Sequence, residues 1–100
     1  MEAKIDNYNT WIKGCNEDTI KSRIVELLEQ SGFTILNYID HHFEPQGYTG
    51  LWLLAESHCA LHTFPEENKS YLELSSCNET MYLDFKRNIG SYFDLAISSV

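Results

Sequence analysis

The chain is short of positive charge. Seven Lys and Arg stand against fifteen Asp and Glu among its 100 residues, a formal net charge of −8, and binding a phosphate backbone needs a basic face. Nucleic acid is therefore excluded as a partner, whereas a cationic ligand is compatible; the acidity also favours solubility. Cysteine is scarce too. Cys15, Cys59 and Cys77 are an odd number with no CxxC pair, which argues against a disulfide framework and a dithiol redox motif. No apolar run approaches the roughly 18 residues of a membrane span, and the N-terminal Met1-Glu2-Ala3-Lys4-Ile5-Asp6 has no basic region leading into an apolar one. A cytoplasmic protein with free thiols and no membrane contact is the expectation. No linker, low-complexity tract or internal repeat divides it, so residues 1–100 form one expected domain.

What is present is an ordinary globular composition, 43% hydrophobic and 22% charged. A domain this small is marginally stable alone, which favours oligomerisation. The β-prone Tyr8–Cys15 reads as a strand ending near Gly14. Asn16 offers an N-cap, Glu17 and Asp18 suit the positive end of a helix, and Ile20, Ile24, Leu27 and Leu28 share one helical face before Gly32 closes it. Phe33–His42 reads as a second strand, with Phe33, Ile35 and Ile39 on one parity, entering the Glu44-Pro45-Gln46-Gly47 turn. Leu51–Ala55 is a third strand whose continuous apolar character implies burial on both faces, or one face on the core and one on a partner. Cys59–His62 is a short fourth. In Ser70–Cys77, Leu72 and Leu74 take one face while Tyr71, Glu73, Ser75 and Cys77 take the other. Asn78 and Glu79 open a second helix with a stripe of Met81, Phe85, Ile89, Tyr92 and Phe93, and Asp94–Ser99 reads as a last strand. This order predicts an α+β two-layer sandwich, a mostly antiparallel β-sheet with two helices on one face and the other face open.

The reactive side chains concentrate in Glu56-Ser57-His58-Cys59-Ala60-Leu61-His62-Thr63-Phe64-Pro65-Glu66. Together with Phe43-Glu44-Pro45-Gln46-Gly47-Tyr48-Thr49-Gly50 upstream and Cys77 downstream, this string resembles the short, single-repeat, prokaryotic S-adenosylmethionine decarboxylase proenzymes, a pyruvoyl-dependent family. The resemblance runs without gaps from about His41 to Cys77. It implies that Ser57 attacks the carbonyl of Glu56, that the chain cuts itself into residues 1–56 and 57–100, and that Ser57 becomes a pyruvoyl group. That ketone would capture the substrate amine and draw electrons as carbon dioxide leaves. Thr49 and His62 match the family's processing serine and histidine, the latter as the base for elimination. Cys77 matches its proton donor, Glu66 an acid that accepts both ribose hydroxyls, and Phe43 an aromatic that stacks on adenine. The product would supply aminopropyl groups for spermidine biosynthesis. In two-repeat relatives the serine and cysteine come from one repeat and the auxiliary hydroxyl and histidine from the other. A homodimer is implied, with Ser57 and Cys77 of one copy meeting Thr49 and His62 of the next.

The chain departs from the family pattern at several points. Thr49 replaces serine, keeping the hydroxyl and adding a methyl. Phe64 replaces tryptophan, Glu67-Asn68-Lys69 replaces an aromatic-glycine-aromatic segment, Ser75 replaces an aromatic and Asn78 a glycine. Two alternatives to S-adenosylmethionine decarboxylation stand beside it: a pyruvoyl-dependent arginine or ornithine decarboxylase of the same fold, and an unprocessed, noncatalytic homologue that binds or regulates a partner. Cys15 and Cys59 read as structural, and His58 has no derivable role. A zinc site on His58 and His62 would need a helix; on a strand the two lie some ~13 Å apart, too far for one ion.

Overall fold

A computed structural model describes residues 3–95. Five strands and two helices follow one another as β1 (Asp6–Lys13), α1 (Glu17–Gln30), β2 (Ile35–His42), β3 (Tyr48–Leu54), β4 (Ser57–Phe64), β5 (Lys69–Ser76) and α2 (Glu79–Tyr92), with a short 3-10 turn at Pro65–Glu67. All strand pairs are antiparallel and the sheet order is β1-β5-β4-β3-β2. This is the α+β sandwich expected from the sequence.

Both helices start where side-chain caps allow. Asn16 Oδ1 accepts the Thr19 N–H, and Asn78 Oδ1 accepts the Met81 N–H at 3.0 Å, each satisfying a donor that the first helical turn leaves unpaired. Ile20, Ile24, Leu27 and Leu28 of α1 are buried, as their spacing predicts. On α2 the buried residues are Tyr82, Phe85 and Ile89. Met81, assigned to that stripe on spacing, is only half-buried and lies over Gly32. Tyr82 takes the inner place and its hydroxyl donates to the Asn7 carbonyl at 3.0 Å.

The core lies between the helices and one sheet face, on Ile12, Trp52, Leu54, Leu61, Leu72 and Leu74. The opposite face carries Trp11, Leu51, Leu53, His58, His62, Tyr71 and Glu73 at the alternate positions of the same strands. Two expectations are corrected here. Leu51 and Leu53 are not buried on both faces: they are 43% and 53% exposed, leaving the other face for a partner. Ile35 and Ile39 do not share a side either, because a bulge between Ile35 and Asn37 shifts the register, so that Ile35 and Tyr38 pack towards the core while Ile39 is 68% exposed. The Tyr38 ring leans on Trp52 with centroids 4.6 Å apart, and its phenol crosses Gly50, where any Cβ would collide with it.

The strand limits also shift: β1 begins and ends two residues early, β3 and β4 are longer than expected, and β5 stops at Ser76. Of the last expected strand, Leu95 forms an isolated antiparallel bridge to Ile12, and residues 96–99 lie outside the described residues.

Candidate active site

Ser57 is the first residue of β4, directly after the two-residue Ala55–Glu56 turn that joins it to β3. The β4–β5 register sets it opposite Ser76. Its hydroxyl is nearly buried and donates to Ser76 Oγ at 3.3 Å, while the Cys77 N–H donates to Ser57 Oγ, also at 3.3 Å. Cys77 sits one residue past the end of β5 rather than within it and is exposed. Together with Glu56, Leu53, His58 and Ser75, Ser57 and Cys77 line a cleft of about 420 Å³. His58, for which the sequence offers no role, thus stands beside the expected cofactor position.

Glu56 has φ 61. A side chain in this left-handed region costs on the order of 1 kcal/mol, so local strain adjoins the expected scissile bond. In an uncleavable Ser57→Ala background, Glu56→Gly is expected to raise stability by about 0.5–1 kcal/mol, a rise of a few degrees in thermal midpoint. An unchanged or lower midpoint would refute the strain.

A second constellation occupies the other end of the β3–β4 ladder. Thr49 pairs with His62, and Thr49 Oγ1 lies 2.8 Å from His62 Nδ1. The same strand ends and the Pro65–Glu67 turn bring Phe43, Phe64 and Glu66 around them in a cleft of about 250 Å³. The Phe43 ring meets His41 edge-on with centroids 4.7 Å apart. Thr49, His62, Phe43 and Glu66 are therefore gathered in one half-site, and Ser57, Glu56 and Cys77 in another.

The two half-sites are not brought together within one chain. Ser57 and His62 are five residues apart on one strand, roughly 17 Å, and odd spacing puts their side chains on opposite sheet faces. Cys59, between them, faces the core and is fully buried, which pushes its thiol pKa up and leaves it inert, in keeping with a structural role. Cys15 Sγ meets Asn68 Oδ1 at 3.6 Å. Among the described residues no three His, Cys, Asp or Glu side chains gather as a metal site, and no helix is long and apolar enough to cross a membrane.

A family profile for S-adenosylmethionine decarboxylase matches residues 12–96. The chain belongs to that family. Among its relatives, the S-adenosylmethionine decarboxylase proenzyme of Prochlorococcus marinus (strain MIT 9313) is 42% identical over 64 residues, 64% of this chain and 51% of that protein. The proenzyme of Archaeoglobus fulgidus is 33% identical over 64 residues, 64% of this chain and 57% of that protein. The chain thus spans about half the length of the curated relatives it matches. The fold agrees with the crystal structure of the adenosylmethionine decarboxylase from Aquifex aeolicus, at a TM-score of 0.75 and 18% identity, over 97% of this chain and 86% of that one.

Sequence reasoning missed Ser76, whose partnership with Ser57 exists only through the strand register. It also missed the Tyr38–Tyr48–Asp40 hydroxyl network beside the second half-site, in which Tyr48 donates to Asp40 Oδ2 at 2.7 Å and burial, first of all, raises the Tyr48 pKa.

Proposed function

We propose that this chain is a self-processing, pyruvoyl-dependent decarboxylase of S-adenosylmethionine whose active site is shared between two copies. The observation that carries this reading is the separation of two complementary half-sites along β4. Ser57, at a strained turn next to Cys77, lies far from the Thr49–His62 pair that matches the family's processing hydroxyl and base, and that pair lies equally far from Ser57 in its own chain. The Ser57 side chain points inward, but the cleft it shares with Cys77 is lined by Leu53, His58 and Ser75 of the open sheet face, so an isologous dimer through that face would bring each cleft to the partner's Thr49–His62 pair. The exposed Ile39, Leu51 and Leu53 are apolar surface that such a dimer would cover.

The chain's own groups fit the steps such a reaction requires. Ser57 Oγ adds to the Glu56 carbonyl carbon to form the ester, and Thr49 of the partner copy offers a hydroxyl to the developing oxyanion. His62, held by Thr49, takes the Cα proton in the elimination that releases the 1–56 chain. The dehydroalanine left at position 57 would take up water and release ammonia, and the pyruvoyl group that results would supply an electron-withdrawing ketone. Cys77 then returns a proton to the substrate carbon after carbon dioxide has left. Glu66 is exposed and able to accept two ribose hydroxyls, and Phe43 offers a ring face to adenine or to the cationic sulfonium. Three free thiols support a reducing, cytoplasmic setting. The relatives' designation as proenzymes supports self-cleavage.

One feature favours a second substrate class. Where the family pattern has aromatic-glycine-aromatic, Lys69 pairs with Glu67 at 3.1 Å and sets its ammonium 4.2 Å above the Trp11 ring, so the surface there is altered in charge and shape. With the family's aromatics replaced there, and a net charge of −8 that suits a basic amino acid equally well, arginine or ornithine decarboxylation is the second reading. Intact mass of the purified chain tests the common part: two fragments, the second lacking its free amine, are expected, and a single species that persists on incubation refutes both enzymes. Carbon dioxide release from S-adenosylmethionine, arginine and ornithine then separates the substrates.

A further inference from the structure

We propose that Ser76 is a positioning residue for self-cleavage, fixing the direction of the Ser57 hydroxyl proton so that one oxygen lone pair is kept free for the Glu56 carbonyl. The inference rests on the processing role proposed for Ser57 and adds a residue to it.

Ser76 occupies the core-facing parity of β5, which Leu72 and Leu74 share, and is 0% exposed. A hydroxyl in such a place costs about 1–3 kcal/mol unless its hydrogen bonds are made. They are all made. The Asn78 N–H donates to Ser76 Oγ at 3.0 Å, and Ser76 Oγ–H donates to the Asn78 carbonyl at 3.1 Å. A hydroxyl has one proton and two lone pairs, so with its proton committed to Asn78, Ser76 can meet Ser57 only as an acceptor.

Ser57 is constrained in the same way. Its one proton is directed at Ser76 Oγ, and one lone pair receives the Cys77 N–H. A single lone pair remains. Attack requires this arrangement, with the O–H turned away from the electrophile: the Glu56 C–Ser57 Oγ bond forms, the Glu56 C–Ser57 N bond breaks, and the hydroxyl proton ends on the released Ser57 amine. The Cys77 N–H already points at the oxygen as it gives up its proton. The assembly is anchored by a helix end, since Asn78 caps α2 through its side chain and accepts the Tyr82 N–H at 3.0 Å through its carbonyl. Asn78 departs from the family's glycine at the position that holds Ser76 at both of its backbone polar groups.

The test uses the full chain and follows intact mass against time for wild type, Ser76→Ala, Ser76→Thr and His62→Ala, with hydroxylamine added to trap any ester. Ser76→Ala is expected to slow cleavage about 10- to 100-fold, the scale of a misdirected reacting group, without accumulating trappable ester, because the loss precedes ester formation. His62→Ala is expected to accumulate ester, because its loss follows. Ser76→Thr, which keeps the hydroxyl, is expected to restore most of the rate, and thermal midpoints confirm that each variant is folded. A Ser76→Ala chain that cleaves as fast as a cleaving wild type overturns this inference alone. So does a folded Ser76→Thr chain as slow as Ser76→Ala. A wild type that never cleaves overturns the processing reading and this inference with it.

Discussion

Co-expressed Cys77→Ala and His62→Ala chains are expected to recover decarboxylation that neither variant has alone. Each variant damages a different half-site, and the half-sites stand at opposite ends of β4, roughly 17 Å apart and on opposite faces of the sheet. A strand paired on both sides, as β4 is with β3 and β5, cannot bend its ends together. In a mixed dimer one site takes Ser57 and Cys77 from the His62→Ala chain and Thr49 and His62 from the Cys77→Ala chain, and is whole; the other site carries both defects. Random pairing puts half the chains in mixed dimers, so about a quarter of wild-type activity is expected. Mass adds a sharper signature: in mixed dimers the His62→Ala chain is the one cut. Full cleavage of His62→Ala chains expressed alone would show that His62 is not required, and cutting of the Cys77→Ala chain instead of the His62→Ala chain in mixed dimers would show that the histidine acts within its own chain and would end the shared-site reading.

Leu51→Glu combined with Leu53→Glu is expected to leave a folded monomer that neither cleaves itself nor decarboxylates. Both side chains stand on β3 facing away from the helices and are about half exposed, so in a lone chain the change removes no core contact and costs within about 0.5 kcal/mol. Across a closed sheet-to-sheet interface the same change would bury four carboxylates without cationic partners, several kcal/mol each before relaxation. Sedimentation velocity reads the outcome directly. A double variant that still sediments as a dimer and still cleaves would place the interface elsewhere. The thermal midpoint is expected to fall modestly and to lose its dependence on protein concentration, since a partner that binds only the folded chain stabilises it by mass action.

How much of this was legible in the sequence depends on the range of the interaction. The caps at Asn16 and Asn78 and the Ile20–Leu28 face are local, and the structure repeats them. The parity of Leu72 and Leu74 against Tyr71 and Glu73 was equally plain, because alternation in a strand needs no partner to be read. The side of Ile39 was not, since a bulge inserts its extra residue without any composition of its own. For Leu51 and Leu53 the sequence left two alternatives open, because an apolar run looks the same whether its second face meets the core or a second molecule, and their exposure in the single chain rules out only the first. Thr49 with His62 was named through resemblance and its contact supplied by register; Ser76 is an unremarkable serine until register puts it across from Ser57.

The strand order has a consequence for the cut molecule. β1, β2 and β3 precede Glu56, whereas β4 and β5 follow it, yet the sheet runs β1-β5-β4-β3-β2. A break after Glu56 would leave the second fragment slotted between two parts of the first, bonded to β3 along one edge and to β1 along the other. The fragments would be interlocked like the teeth of two combs. Neither could leave without opening both seams, so the fold would survive losing its own continuity, and once melted it would have to reassemble from separate pieces.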